Sequence, residues 1–114
     1  MSNMLMTKLK NKLKGVGNYE TKLKNISING RKVGCSGFVL NPENGVVVYV
    51  NTEGISWIGE KHKNLVRFAR DMKDYGGAHS RNEYATDDEI EVKIHSMLSE
   101  KKRYDEWLDR SWLD

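Results

Sequence analysis

The sequence predicts an α+β fold in which helices pack against a three-stranded antiparallel sheet, in the order α-β-β-β-α-α. Two turn signals divide residues 23–51 into three apolar runs, which is the pattern of a β-meander. On either side of this stretch, apolar residues recur at helical spacing instead. With 114 residues, of which 38% are hydrophobic and 31% charged, the chain is predicted to form one domain over residues 1–114.

An amphipathic helix is predicted over residues 3–14. Leu5, Leu9 and Leu13 recur at steps of four, and Gly15 ends the pattern. Four lysines surround this apolar stripe: Lys8, Lys10, Lys12 and Lys14. Closely spaced ammonium groups release condensed counterions when they contact phosphates, so these lysines are candidate ligands for nucleic acid. A helix surface that is merely solvated would carry the same residues, and both interpretations stay open here.

The β-meander is predicted over residues 19–51. Asn29 and Gly30 are a strong hairpin signal, because a type I′ turn needs a positive φ at both central positions. A simple two-residue loop would place Ile26 opposite Val33. The same register sorts the apolar residues of the first two strands into two faces. One face would carry Ile26, Ile28, Val33, Cys35 and Val39, and the other Leu23, Phe38 and Leu40.

Glycines and a second turn shape the rest of the meander. Gly34 and Gly37 lie inside a strand, which predicts a bulge or the close approach of another element. Residues 41–45 read Asn-Pro-Glu-Asn-Gly and predict a tight turn. The next five residues, 46–50, are apolar on both faces, so this strand is expected to be covered on both sides. Cys35 is predicted to be a small core residue, since no nearby base would activate it.

A second helix is predicted over residues 60–75. Leu65, Phe68 and Met72 lie three and four residues apart, and a double glycine follows the stretch. The outer side of this helix would be basic, and three of its residues are further candidate contacts to nucleic acid: Lys61, Lys63 and Arg67. A helix face that is merely solvated is the more common explanation for such residues.

A polar loop is expected over residues 78–85, before a C-terminal helix and an aromatic, acidic tail over residues 87–114. Thr86 and Glu89 form a capping-box pattern at the start of that helix. The tail carries four residues of the kind found at interface hot spots, which makes them candidate contacts to a protein partner: Tyr104, Trp107, Leu108 and Trp112. Burial of the tryptophans in the core is the alternative interpretation.

Charge is unevenly distributed along the chain. Residues 1–33 contain eight basic residues and one acidic residue, whereas residues 83–114 contain five basic and ten acidic residues. This pattern indicates either opposite charges that meet within the fold or separate surfaces for separate partners. The single cysteine excludes an internal disulfide, and no apolar run is long enough for a bilayer span or a signal peptide. We therefore expect a cytoplasmic protein.

No catalytic or metal-binding motif is present in the sequence. The densest polar cluster is the run from His79 to Glu83, whose residue types suit general acid–base chemistry on a phosphodiester. Neighbours in a loop need not point at one substrate, however, so a polar connection is the favoured interpretation. The spacing of the three histidines, His62, His79 and His95, fits no known metal-ligand pattern. We predict no catalytic residue, no metal and no cofactor.

The predicted order of one helix, three strands and a second helix over residues 3–75 resembles the double-stranded-RNA-binding domain. In that family, lysines at the start of the closing helix grip phosphates across a groove. The resemblance implies this role for Lys61 and Lys63. It carries the alternative prediction that the chain is itself a nucleic-acid-binding protein.

Three segments, residues 35–41, 47–54 and 68–77, are similar to small accessory proteins of Gram-positive phages and integrative elements. Inhibitors of CRISPR effector nucleases are among those proteins. The similarity implies a non-enzymatic inhibitor that acts in the host cytoplasm on a nucleic-acid-processing machine, in its most specific form an anti-CRISPR inhibitor of a type II effector nuclease. Its basic residues would compete for guide RNA or DNA, or its acidic tail would imitate nucleic acid. The oligomeric state is left open.

Overall fold

The computed structural model describes residues 4–53, 64–69 and 80–99. In these ranges the chain forms two helices and one five-stranded antiparallel sheet whose strands lie in sequence order. The elements are α1 (Met6–Lys14), β1 (Glu20–Ile28), β2 (Arg31–Leu40), β3 (Val47–Asn51), β4 (Asn64–Ala69), β5 (Arg81–Ala85) and α2 (Ile90–Leu98). The α+β class, the first helix and the three strands of the meander are confirmed.

The sheet has two more strands than predicted. β4 lies inside the stretch predicted as a helix over residues 60–75, and β5 lies inside the predicted loop over residues 78–85, so both predictions are wrong. A three-stranded sheet would have left the valine-rich β3 at an edge. Instead, β3 pairs with β2 and β4 and is central, which accounts for its nearly complete burial. Thus β4 and β5 extend the sheet by long-range pairing, which local spacing does not reveal.

The hairpin between β1 and β2 has the predicted turn. Asn29 and Gly30 have φ values of 54° and 77°, as a type I′ turn requires, and Ile28 pairs with Arg31.

Beyond the turn, the register of this hairpin differs from the prediction. A β-bulge lies between Ile26 and Ser27, so Ile26 pairs with Gly34 and not with Val33. An extra residue in one strand exchanges the two faces from that point on. Leu23 consequently joins the buried core, whereas the prediction placed it on the opposite face from Cys35 and Val39. Ile28, which the prediction placed on the same face as Cys35 and Val39, is 49% exposed.

Both helices cover the same face of the sheet. Helix α1 packs on β1 and β2, helix α2 packs on β3 and β4, and the two helices contact each other. Between the helices and the sheet lies an apolar core that includes Leu9, Leu13, Leu23, Cys35, Val39, Val48, Val50, Val66, Phe68, Ile90, Ile94 and Leu98. Neither α1 nor α2 has the length and hydropathy of a bilayer-spanning helix, and the described residues contain no other helix.

Two glycines in β2 allow close backbone approaches, as predicted. At Gly37, φ is 146° and an added Cβ would lie 2.0 Å from the carbonyl oxygen of Lys22. At Gly34, an added Cβ would lie 2.6 Å from the carbonyl oxygen of Thr52. Cys35 is fully buried between these two positions, so its assignment to the core is confirmed. Burial raises the pKa of the Cys35 thiol, which keeps it protonated and unreactive.

The turn between β2 and β3 fixes the end of α2. Gly45 has a φ of 79°, and its N–H donates to the carbonyl of Asn41 at 2.9 Å, so the predicted tight turn is confirmed. The side-chain amides of Asn41 and Asn44 donate to the carbonyl oxygen of Leu98 at 3.1 and 2.8 Å. Carbonyls in the last turn of a helix have no intrahelical partner. The turn therefore satisfies the C-terminal end of α2.

The start of α2 differs from the predicted capping box. The helix begins at Ile90 and not near residue 87. The residue that flanks its N-terminus is Glu89, whose side chain makes no capping hydrogen bond. The hydroxyl of Thr86 donates to Glu89 Oε1 at 2.6 Å. The two side chains therefore bond each other instead of capping backbone N–H groups.

Candidate nucleic-acid interface

Helix α1 presents four of the candidate lysines, and β1 and β3 fix its position. Leu5, which precedes the helix, makes no side-chain capping bond. Instead, Asn25 of β1 accepts a hydrogen bond from the backbone N–H of Met6 at 2.8 Å. The buried hydroxyl of Thr52, just after β3, donates to the carbonyl oxygen of Met4 at 2.5 Å. The start of α1 is thus attached to the sheet by two long-range hydrogen bonds.

The four lysines of α1 do not form one face. At 100° per residue, Lys10 and Lys14 lie on one flank of the buried leucine stripe, and Lys8 and Lys12 lie on the other. Lys12 is directed towards α2, where its ammonium group is 3.5 Å from a carboxylate oxygen of Glu91. The other three lysines make no ion pair with a described residue. The four predicted lysines therefore lie as two pairs on opposite flanks of α1, and the charge of Lys12 is compensated by Glu91.

Strand β1 adds basic residues that the sequence interpretation did not select. Lys22 and Lys24 are exposed and flank the buried Leu23, so they point away from α1. β1 is also an edge of the described sheet, with α1 lying along it. Lysines therefore border this edge on both faces. At the tip of the adjoining hairpin, Arg31 and Lys32 are exposed as well.

Arg67 lies elsewhere on the molecule. It belongs to β4 and faces away from the two helices, since it alternates with the core residues Val66 and Phe68. Its guanidinium donates to Asn82 Oδ1 at 2.9 Å and to Ser80 Oγ at 2.7 Å. These bonds tie β4 to the β5 side of the sheet. Arg67 is therefore not part of the α1 and β1 surface.

The remaining predicted site residues lie outside the described ranges. This applies to Lys61 and Lys63 and to the proposed protein contacts Tyr104, Trp107, Leu108 and Trp112. The predicted helix that was to begin with the two lysines is contradicted by β4, as described above. The helix that closes the described fold is α2, and four acidic residues surround its start: Asp87, Asp88, Glu89 and Glu91. Phosphate binding at the start of a closing helix, as in the double-stranded-RNA-binding domain, is therefore unfavourable here.

The polar run before α2 is engaged in structural contacts. Glu83 accepts a hydrogen bond from Arg81 at 2.9 Å and one from Lys93 of α2 at 3.2 Å. Burial alone would raise the pKa of Glu83, but the bonds from Arg81 and Lys93 outweigh it and lower the pKa. Arg81 also lies 4.7 Å from the ring centroid of Phe68. A carboxylate that stays ionised in two ion pairs is a poor general acid, and His79 lies outside the described residues.

A tyrosine–histidine contact was not anticipated from the sequence. A hydrogen bond joins the hydroxyl of Tyr19 and Nδ1 of His95, and the two rings are 5.9 Å apart between centroids. Burial raises the pKa of Tyr19; a hydrogen bond with Ser99 lowers this pKa, and the negative charge of Glu43 raises it. The contact links the segment before β1 to the last turn of α2. The two partners are 76 positions apart in the sequence, which explains why local spacing did not predict the contact.

The described residues contain no group of three histidine, cysteine, aspartate or glutamate side chains arranged to hold a metal ion. Comparison with known proteins gives no matching family model, no matching curated protein and no matching solved structure. Any functional assignment therefore rests on the surfaces described above.

Proposed function

We propose that this protein is a non-enzymatic inhibitor of a host nucleic-acid-processing machine and competes for the RNA or DNA that the machine binds. In its most specific form it inhibits a type II CRISPR effector nuclease. The competing surface wraps around α1 and β1: Lys8 lies on one flank of α1, Lys10 and Lys14 lie on the other, and Lys22 and Lys24 lie on the outer face of β1. These five lysines are referred to below as the basic edge.

The main support is that the lysines of the basic edge form no ion pair with any described residue. Of the eight basic residues in residues 1–33, only Lys12 forms an ion pair with a described residue. The same stretch of sequence contains a single acidic residue, Glu20. The edge extends along a nine-residue helix, about 13 Å. Double-stranded DNA carries one charge per ~1.7 Å of its axis. A surface of this length can thus lie against several phosphates at once.

The structure does not favour the alternative of a double-stranded-RNA-binding domain. Its helices do share one face of an antiparallel sheet, as the resemblance requires. However, the closing helix α2 starts among acidic residues, and the strands number five within the described ranges. Phosphates would be repelled from the position where that family uses lysines. We therefore place nucleic-acid contact on α1 and β1.

A salt titration of nucleic-acid binding tests the basic edge. Association of the full chain with RNA and DNA is measured at several salt concentrations, for the wild type and for a triple variant with Lys8→Ala, Lys10→Ala and Lys14→Ala. Each lost phosphate contact lowers the slope of log K against log salt by about 0.7–0.9, so the triple variant should lose a slope of about 2. Lys12 is left in place because its ion pair with Glu91 connects α1 to α2.

Inhibition is then measured as loss of guided DNA cleavage by a type II effector. The triple variant should inhibit less, in proportion to its weaker binding to guide RNA or DNA. A chain without residues 104–114 provides the comparison. If this truncated chain stays folded and loses inhibition, whereas the triple variant keeps it, the acidic tail and not the basic edge is the inhibitory surface. Full inhibition by both variants would refute the proposed mechanism.

A further inference from the structure

A cleft lies where the chain passes from α1 into β1. Its volume is about 400 Å³, which falls in the range of small-molecule sites, about 300–1,000 Å³. It is lined by Lys10, Leu13, Lys14, Gly17, Asn18, Tyr19 and Thr21. All seven residues belong to the described part of the chain.

The described polar lining of this cleft supplies hydrogen-bond donors and positive charge. Lys10 and Lys14 lie one helical turn apart on the same flank of α1, with about 5–6 Å between their Cβ atoms. Two flexible ammonium groups at that spacing reach a single anion together. Asn18 and Thr21 add an amide and a hydroxyl, and none of the described lining residues is a carboxylate. This donor set suits a phosphate group.

The aromatic wall of the cleft is fixed in position. The Tyr19 hydroxyl is hydrogen-bonded to His95 of α2. On the other side, Gly17 lies against the tyrosine ring, and a Cβ added at Gly17 would be 2.4 Å from its Cζ atom. Since Gly17 and α2 both constrain the ring, the cleft is formed before any ligand arrives. A preformed site loses less conformational entropy on binding.

We infer that this cleft is a binding site for a phosphate group. The inference deepens the proposed function, because it gives the basic edge one defined phosphate position. The phosphate can belong to a free compound, such as pyrophosphate or a nucleotide, or to the backbone of a single-stranded oligonucleotide. Binding of a free compound can be measured without any nuclease, so this site is testable when inhibition is absent.

Titration of the full chain with pyrophosphate, and separately with a short single-stranded oligonucleotide, tests the site by NMR and calorimetry. One variant combines Lys10→Ala with Lys14→Ala. Its matched control combines Arg31→Ala with Lys32→Ala, which removes the same charge from exposed residues at the hairpin tip that neither line the cleft nor belong to the basic edge. We expect the cleft variant to bind at least one of the two probes about tenfold more weakly, and the control to change that affinity less than about threefold.

The chemical shifts of Asn18 and Thr21 should move when the affected probe binds, and circular dichroism checks that both variants stay folded. If the cleft variant binds pyrophosphate more weakly, the ligand of the cleft is the phosphate of a free compound. If it loses affinity for the oligonucleotide alone, the ligand is a backbone phosphate. Equal losses in the two variants, or no binding of either probe, would overturn the inference. Cleft-dependent binding without any inhibition of cleavage would refute the proposed function and leave the site intact.

Discussion

Thr52 connects three segments of the chain through one hydroxyl group. Its Oγ1 accepts a hydrogen bond from the N–H of Cys35 at 2.8 Å and donates one to the carbonyl of Met4 at 2.5 Å. Thr52 is fully buried, so no water replaces these partners. From the sequence, Thr52 looks like an ordinary residue of the loop after β3. Thr52 bonds to Met4 because the segment before α1 passes close to the end of β3. No local sequence pattern predicts this contact.

Thr52→Val tests this connection. The change keeps the shape of the side chain and leaves a buried N–H and a buried carbonyl unpaired, at a cost of about 1–3 kcal/mol each. We expect the free energy of unfolding to fall by about 2–4 kcal/mol in urea denaturation. Thr7→Val at an exposed site of α1 is the matched control and should change stability by less than about 0.5 kcal/mol. Equal effects would mean that the hydroxyl of Thr52 is not specially placed.

Gly37 and Gly30 illustrate two different reasons why a position requires glycine: close contact with a neighbouring backbone and a positive φ. Both have positive φ, but an added Cβ meets the Lys22 carbonyl at 2.0 Å at Gly37, whereas nothing lies within 4 Å at Gly30. Gly37→Ala must push β1 and β2 apart and should destabilise the fold by more than about 3 kcal/mol. Gly30→Ala adds only left-handed backbone strain, about 1–2 kcal/mol. Chemical denaturation of the two variants measures the difference, and a smaller loss at Gly37 would contradict the close approach.

Among the elements, β4 shows where sequence periodicity stops being informative. Its run of six residues has apolar side chains at Leu65, Val66 and Phe68, and this short pattern fits either a helix or a strand. Pairing with β3 and β5 decides the matter, because both neighbours supply backbone hydrogen-bond partners. By contrast, the first hairpin was predictable. Asn29 and Gly30 determine its turn locally. Gly34 indicated a bulge or a close approach, but the change of register opposite it, at Ile26, was not predicted.

The candidate site shows the same limit. The lysines of α1 were predictable because the leucines at steps of four identify the helix and its polar side. Their division into two flanks follows from the helical period. The ion pair between Lys12 and Glu91 could not be predicted in this way, because it depends on how α2 packs against α1. Arg67 was grouped with them only because its segment was taken for a helix.

The contact between β5 and α2 should make stability depend on pH. The pKa of Glu83 is lowered from its ordinary value of 4.5, so the unfolded chain binds a proton more readily than the folded chain. The stabilisation by Glu83 is therefore present above pH 4.5 and is lost as pH falls through the lowered pKa. Unfolding measured from pH 7 down to acid should show a smaller loss of stability for Glu83→Gln than for the wild type. An unchanged pH profile would show that the ion pairs with Arg81 and Lys93 contribute little.

For the molecule as a whole, α1 is part of the core and not an appendage. Met4, Leu9 and Leu13 are almost completely buried against the sheet and α2. We expect a chain without residues 1–17 to lose cooperative unfolding and the dispersed NMR spectrum of a folded protein. The truncation removes these buried side chains and also removes the Met6 N–H from Asn25 and the Met4 carbonyl from Thr52. The triple lysine variant of α1 is the control and should unfold cooperatively. A well-folded truncated chain would contradict this role of α1.

The hydrogen bond from Met6 to Asn25 also has a consequence for the order of folding. A nine-residue helix is too short to persist alone in water. The groups that satisfy its start come from 19 and 48 residues further along the chain, so α1 becomes stable only after β1 has paired with β2 and β3 has been added. During synthesis α1 leaves the ribosome before the strands that stabilise it, and it would then be among the last elements of the described fold to become ordered. The ordered lysine surface would exist only on a completed sheet, and a nascent chain would not yet present it.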